Sequence, residues 1–556
     1  MATTIKNAKS DRDFKVMFGH PESAQLPLPS FTVLITPSVD TFNDFGFRTL
    51  VDIVIRFDDQ RPPLSLVGLL GFSSGNKKEQ NDVRRIEQML GNANSPTVAA
   101  GPTRQFFTML PEMDAYRRFV RDAGPEVAGT ALLAMNDLVA LTELSPASTI
   151  PEEAERTSVF QKSFIRTAES FFAYKNAGSI LRGVDFEEVG RMSQHIGLTF
   201  RLAGCKNEHE LRFRFDHQAD LPKRIAVIIG KNGVGKSQAL GNIVRAALSG
   251  DGKILRDEST NRRVLMNRLL AFAPTNESNS VFPGERRRRA KVYYRRFALN
   301  RSGRAKRGGL SDLILQIARS DARIGSASRW RIFMNALSGL SDSNQLCLFQ
   351  REGKKFTVLL SELRSAQTEH RLLDVYASID TGRELARHVN GNTYPLSSGE
   401  ISFVRFAAQA SLYIENGSLL LLDEPETHLH PNFISQFVAL LDDLLSQTGS
   451  AAIITTHSVY FVREVFREQV TVLRVNDDRQ VLAEPIRLQT FGADVGAISD
   501  FVFGEDGPSK LAAEVERRLL ANYSNWHSLY ERYKNELSPE MLSSLRLALD
   551  SDGDNE

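Results

Sequence analysis

Cysteine is nearly absent: Cys205 and Cys347 are the two in 556 residues, and they stand far apart. That excludes a disulfide framework and a cysteine-built zinc site, and it suits a reducing compartment, so a cytoplasmic location is expected. Long apolar runs are missing as well. No stretch of about 18 apolar residues occurs, which argues against a membrane span. The N-terminal MATTIKNAKSDRDFK lacks the apolar centre of a secretory signal. Neither sign of charge is in excess, with 69 Lys and Arg against 67 Asp and Glu, but the charge is unevenly placed. What is present is 42% hydrophobic and 24% charged residues, an ordinary globular balance. The length exceeds one hydrophobic core and predicts two or more lobes.

The chain is organised around residues 225–237, which read IAVIIGKNGVGKS. Ile225, Ala226, Val227, Ile228 and Ile229 have the composition of a fully buried strand. Gly230 opens a loop of the form G-x-x-x-x-G-K-S, and Leu240, Ile243, Val244, Ala247 and Leu248 follow at helical spacing. In that order, strand, glycine loop and helix make a phosphate cradle, because loop N–H groups and the helix N-terminus converge on phosphate oxygens. The candidate nucleotide-binding residues are Gly230, Lys231, Asn232, Gly233, Val234, Gly235, Lys236, Ser237 and Gln238. Lys236 would reach the β- and γ-phosphates, and the Ser237 hydroxyl would ligate Mg2+.

At Leu396 the chain reads LSSGE, and Ile401, Val404, Ala408 and Leu412 continue as an amphipathic helix. Ser397 and Ser398 are good N-caps and Gly399 permits close backbone approach. Alone this is a capped helix; beside a phosphate site it is a second phosphate receptor. Next, SLLLLDEP gives a buried strand ending in Asp423 and Glu424. An acid at the end of a strand beside the P-loop strand can hold Mg2+ through water. The following acid can orient and deprotonate the attacking water. A further apolar strand, AAIITTHS, ends at His457, whose imidazole can bond the γ-phosphate or the lytic water. The catalytic candidates are Glu424, His457 and Lys236, and the metal candidates are Ser237 and Asp423.

Together, residues 230–237, 396–400, 419–424 and His457 resemble the Walker A, signature, Walker B and switch motifs of the ATP-binding-cassette (ABC) superfamily, over about residues 195–480. The stretch DEPETHLHP at 423–431 resembles the RecF and overcoming-lysogenisation-defect (OLD) branch of soluble ATPases, which includes ATPase subunits of anti-phage systems such as Septu. The resemblance implies an α/β fold: an ABC-type P-loop domain with a mixed sheet flanked by helices, a helical lobe and an N-terminal β/helical extension. It implies ATP and Mg2+ as cofactors. It also implies a head-to-tail homodimer or higher homo-oligomer, with Lys236 and Ser237 of one subunit facing Ser397 and Gly399 of another. His428 and His430 fall in the loop that crosses that interface. The departures are the lack of a glutamine linking the two lobes, with Asn276 its nearest stand-in, the Ser398 and Glu400 variants, and the long N-terminal extension.

The expected organisation is an N-terminal extension at 1–194, the first half of the ATPase core at 195–284, an inserted lobe at 285–395, the second half at 396–480, and a C-terminal helical region with an acidic tail at 481–556. Residues 31–72 read as strands and about 105–190 as helices. The early strands either pair with the P-loop sheet or build a free-standing domain. Residues 286–307 hold eleven Lys or Arg and no acid, with Tyr293, Tyr294 and Phe297 among them. Arg286, Arg287, Arg288, Arg289, Lys291, Arg295 and Arg296 are candidate nucleic-acid contacts, since basic residues displace phosphate counterions and aromatics offer stacking surfaces. A solvated basic loop is the alternative. The final DSDGDNE reads as a solvated, disordered tail.

OLD nucleases carry a Toprim nuclease domain after the ATPase, and the remaining C-terminal residues are too few for one. No H-N-H or P-D-(D/E)-x-K motif occurs either. The expectation is therefore an ATPase subunit whose nucleotide-driven dimerisation controls a separate effector, a nuclease of a defence system, with contact to DNA or RNA. A DNA-repair clamp and a low-turnover nucleotide-sensing scaffold are the alternatives.

Overall fold

Seven strands form the central sheet, in the order Tyr293–Ala298, Arg268–Ala273, Leu419–Asp423, Ala451–Thr456, Ile225–Gly230, Val470–Val475 and Val481–Pro485. Every neighbouring pair is parallel except the last. The structure, a computed structural model, describes residues 13–553 apart from 26, 40–45, 59, 74–81, 94, 102–105, 220, 222, 275–280, 286–289, 300–308, 352–355, 366–367, 430, 477, 504–509 and 524. Strands 225–230, 419–423 and 451–456 are buried at every position. Parallel strands covered on both faces have this continuous apolar text rather than alternation. One expectation is corrected here. The acid-bearing strand does not lie beside the P-loop strand, because Ala451–Thr456 sits between them, with Asp423 opposite Thr455 and Ile229 opposite Thr456. Both runs are uniformly apolar, so composition cannot order them.

The early strands form a sheet of their own. Lys15–Gly19, Thr32–Pro37, Leu50–Arg56, Leu64–Phe72, Thr97–Ala99 and Phe106–Met109 make six strands, and among the described residues none of them pairs with the central sheet. Helices Met113–Ala123, Pro125–Ala134, Leu138–Leu144 and Ala168–Asn176 follow. The region is not free-standing either: its buried residues, among them Phe107, Phe164 and Phe172, run into the same core as Leu419, Leu421 and Ile453 of the central sheet. A third sheet, His195–Phe200 with His209–Arg214 and Leu255–Asp257, packs against the P-loop helix Lys236–Ser249.

Residues 285–395 divide between two structures. Tyr293–Ala298, expected within the inserted lobe, is instead the edge strand of the central sheet, parallel to Arg268–Ala273. Tyr294 and Phe297 are buried there, and the Phe297 ring stacks on Phe272 at 5.0 Å. Those two aromatics are core residues and offer no stacking surface. Beyond them, helices Leu310–Arg319 and Arg329–Leu337 pack on the helix Ser398–Tyr413. Strands Leu346–Phe349, Thr357–Leu359, Ala386–Val389 and Asn392–Pro395 form a four-stranded antiparallel sheet.

A buried ion network closes the junction of these parts. Arg117 donates to Glu187 at 2.8 and 2.7 Å and to Glu415 at 2.7 Å. Arg329 also pairs with Glu415, and Asn416 Nδ2 donates to Glu187 at 2.9 Å. Burying such charges is tolerable only because each is paired and hydrogen-bonded. Burial alone would raise the Glu415 carboxyl, but Arg117 and Arg329 outweigh it and hold it at about 2.

Residues Ala493–Glu556 form a second compact unit. Its helices Lys510–Asn522, Trp526–Tyr533 and Pro539–Gly553 enclose a small core of Leu519, Leu529, Leu542 and Leu545. The C-terminal region thus begins after Gly492 rather than at 481, since Val481–Pro485 completes the central sheet. The backbone is helical as far as Gly553, so most of the expected disordered tail continues a helix. No helix among the described residues is long and apolar enough to cross a membrane.

Candidate active site

The site is built where three neighbouring strands end. Gly230 closes the P-loop strand, and a Cβ there would sit 2.2 Å from the Leu473 carbonyl oxygen, so only glycine allows the adjoining strand this close. Gly235 takes φ +99° at the N-cap of the helix Lys236–Ser249, a left-handed conformation that points the loop amides inward. Lys231, Asn232 and Gly233 form the exposed rim, while Val234 is buried beneath it. Gln238 lies one turn into the helix, with Arg245 Nη2 3.4 Å from its Oε1.

Lys236 is buried, and its ammonium donates to the Gly230 and Lys231 carbonyls at 2.9 and 3.1 Å. Burial lowers its pKa, and the charges of Glu424, Glu426 and Asp423 oppose that shift. The same ammonium lies 2.9 Å from His457 Nε2. Glu424 Oε1 lies 2.8 Å from that nitrogen. The three catalytic candidates therefore meet around one imidazole. Glu424 itself sits at φ +43°, an uncommon conformation for a non-glycine residue, and its amide donates to the Thr455 carbonyl at 2.9 Å.

Asp423 is buried at the end of its strand. It accepts from Thr455 Oγ1 at 2.7 Å and from the Ser237 hydroxyl. Burial raises its pKa, and those two hydrogen bonds work against the rise. A hydroxyl and a carboxylate held together beside a phosphate cradle form a hard-oxygen donor set that fits Mg2+, with water and phosphate oxygens completing it. When bound, the ion would neutralise charge on the β- and γ-phosphates.

The signature turn is a capping box. Ser397 Oγ accepts from the Glu400 amide at 3.3 Å, and Glu400 Oε2 accepts from the Ser397 amide at 2.8 Å. Arg387 Nη2 donates to the other carboxylate oxygen at 2.6 Å. Burial would raise the Glu400 pKa, but the bonds from Ser397 and Arg387 bring it below the usual value. Ser397 and Ser398 are exposed and Gly399 half-buried. Among the described residues, no hydrogen bond or ion pair joins this turn to the P-loop.

The nucleic-acid candidates fare differently. Arg286, Arg287, Arg288 and Arg289 lie outside the described residues, as do Asn276 and His430. Lys291 is fixed by its backbone, which receives Arg263 Nη2 at 2.6 Å and donates to Leu248 at 3.0 Å. The Arg295 guanidinium lies over the Tyr413 ring at 4.1 Å. The Arg296 amide donates to Glu285 and its Nη1 to the Phe282 carbonyl. Of these three, Arg295 and Arg296 spend their side chains on the edge of the sheet.

One acid was missed by sequence reasoning. Glu426 Oε1 accepts from both Thr456 Oγ1 and the His457 amide at 2.7 Å. Burial raises its pKa against those bonds. Its place two residues beyond Glu424 was the available signal; its partners, some 30 residues on, gave none.

Fold and site together define a P-loop ATPase domain built on a mostly parallel sheet. Residues 225–463 match the family model described as "AAA domain, putative AbiEii toxin, Type IV TA system". Among curated proteins, the chain is similar to protein ea59 of Escherichia phage lambda, 40% identical over 87 residues, which is 16% of each chain. It is also similar to UvrABC system protein A of Chlamydia muridarum (strain MoPn / Nigg), 34% identical over 70 residues, or 13% of this chain and 4% of that one. The chain thus spans a small fraction of the curated relatives it matches. Solved structures with partial overlap include an SMC head domain from Thermotoga maritima, at 14% identity and a TM-score of 0.26 over 54% of this chain and 100% of that one. Another is UvrA2 from Deinococcus radiodurans, at 14% identity and a TM-score of 0.29 over 57% and 38%. It is the strand order and the loop, not these overlaps, that define the fold.

Proposed function

We propose that this chain binds ATP with Mg2+ and hydrolyses it between two copies, and that the nucleotide-dependent association controls a separate effector. The observation that carries the hydrolytic part is the convergence of Lys236, Glu424 and His457 at adjoining strand ends. Lys236 and the loop amides bind the triphosphate, Ser237 and Asp423 hold the ion, and Glu424 accepts the proton of the attacking water, with His457 beside the γ-phosphate. The dimeric part is supported by the signature turn, an exposed helix start with no partner in its own chain's P-loop. A second copy would supply the match, giving a homodimer or a higher homo-oligomer. The decisive experiment measures ATP turnover against protein concentration. Turnover per chain should rise as dimers form, and undiminished turnover by a strict monomer rejects the reading.

The biological part of the proposal is a cytoplasmic ATPase subunit of a defence-type complex with a nuclease or toxin as effector. It is supported by the family description, which names a toxin of a type IV TA system, and by the local similarity to a phage protein. Purification with the products of neighbouring genes tests it, by asking what co-elutes and whether nucleic acid is cut only when nucleotide changes. Contact with DNA or RNA is carried by Arg286, Arg287, Arg288 and Arg289. The local similarity to UvrABC system protein A favours the DNA-repair clamp as the second reading.

A further inference from the structure

The candidate base sits on a turn that needs holding. Glu424 leaves its strand in the left-handed region, and the chain then turns through the short 3-10 segment Pro425–His428. A non-glycine residue in that conformation persists only when its surroundings over-determine it. One side chain from this turn reaches back across the strand ends. Glu426 Oε1 accepts from Thr456 Oγ1 and from the His457 amide, both at 2.7 Å. Thr456 Oγ1 in turn accepts from the Ser458 amide at 2.9 Å. The carboxylate therefore ties the turn bearing Glu424 to the backbone of the residue whose ring Glu424 and Lys236 both reach. Its other oxygen, Oε2, is buried and has no hydrogen-bond partner among the described residues. An ordinary turn cap would expose that oxygen to water, since a buried acceptor without a partner is costly.

We propose that Glu426 is a positioning residue for hydrolysis: its carboxylate fixes the His457 backbone so that the imidazole stays within reach of both Glu424 and Lys236. This rests on the ATPase reading above. Among the described residues Glu426 makes no hydrogen bond to the P-loop amides, and its charge acts on Lys236 only at a distance, so nucleotide affinity should change little when it is replaced. Misplacement by about 1 Å in such a constellation lowers rates by about a hundredfold.

The test compares the full-length wild type with Glu426→Ala and Glu426→Gln by three measurements: ATP turnover, affinity for a fluorescent ATP analogue with Mg2+, and the rate at which diethyl pyrocarbonate modifies His457 without nucleotide, read by mass spectrometry. Glu426→Ala should lower kcat by about a hundredfold, keep affinity within about twofold, and raise His457 modification several-fold. Glu426→Gln keeps an Oε1 acceptor of the same shape and should restore all three. Unchanged turnover or unchanged His457 modification in Glu426→Ala overturns the proposal. So does a parallel loss of affinity, or a glutamine variant as defective as alanine. If the alanine variant does not fold, Thr456→Val removes one of the two donors and should shift turnover and His457 modification in the same direction by a smaller amount; wild-type values overturn the proposal. Should the wild type itself fail to turn over ATP, the ATPase reading falls, and the modification rates still decide whether Glu426 holds His457.

Discussion

Arg117, in the N-terminal region, and Glu415, just beyond the helix that the signature turn opens, form a buried ion pair at 2.7 Å across 298 residues of sequence. Arg117→Ala leaves two carboxylates, Glu187 and Glu415, short of a cation in the interior. Breaking a buried pair in this way costs about 3–5 kcal/mol. Chemical denaturation should register a loss of that order, and a change within experimental scatter would show that Arg329 alone suffices for Glu415.

Two buried acids give opposite dependences on pH. Glu415 is held at about 2, below its value in an unfolded chain, so its contribution is complete above the normal carboxylate range and is lost as pH falls through about 2. Burial lifts Asp137 to about 7, although the Ala140 amide and the Tyr116 hydroxyl bond it. The folded state then keeps a proton that the unfolded state releases, so this acid's contribution declines as pH rises from about 4 to about 7. Asp137→Asn keeps the N-cap geometry and should flatten that decline in melting temperature measured from pH 4 to 8. An unchanged pH profile would count against it.

The P-loop lysine can be tested directly. Lys236→Ala removes the ammonium that lies between the loop carbonyls and His457, and turnover should fall by about a hundredfold to a thousandfold. Isothermal titration with ATP and Mg2+ should show weakened binding, while the melting temperature without nucleotide stays near wild type.

Glu424→Gln should separate binding from hydrolysis. The amide cannot take the water's proton, so turnover should drop by about a hundredfold or more, with ATP affinity kept. On sizing columns, ATP should then accumulate dimers that the wild type forms only transiently. A variant that stays monomeric at saturating ATP speaks against the two-copy arrangement.

The basic stretch divides into two testable parts. Phe297→Ala removes a buried ring stacked on Phe272 and should cost about 3–5 kcal/mol of stability, without a selective effect on polyanion binding. Changing Arg286, Arg287, Arg288 and Arg289 together to alanine should leave stability alone and flatten the salt dependence of binding to DNA or RNA.

The parts of the site that sequence discloses are those whose chemistry is local. The run from Gly230 to Ser237, the acids after four leucines and the histidine after two threonines each carry their meaning within a few residues. Strand order is not local: Leu419–Asp423 and Ala451–Thr456 are equally apolar, and nothing in either says which one adjoins the P-loop strand. Arg295 and Arg296 read as free cations because the ring of Tyr413 and the carbonyl of Phe282, which engage them, lie elsewhere in the chain. The same holds for Arg117, whose partners are far away in sequence, and for Glu426, whose two donors lie on another strand. The separate N-terminal sheet is not legible in the sequence, because strands added to the edge of the central sheet and strands of a second sheet have the same alternating text.

Since the strand ending at Thr456 is flanked in register by the other two, the phosphate-holding loop, the acids and the imidazole all hang from one rim of a shared hydrogen-bond ladder. A pleated ladder has a repeat of two residues, so a slip of one step turns every side chain on that strand to the opposite face. Alignment of the reacting groups is thereby inherited from main-chain pairing deep in the apolar interior, where no substrate ever reaches. Lesions far from any phosphate, such as a widened Ile453 or Leu421, are then expected to blunt chemistry before they unfold the chain.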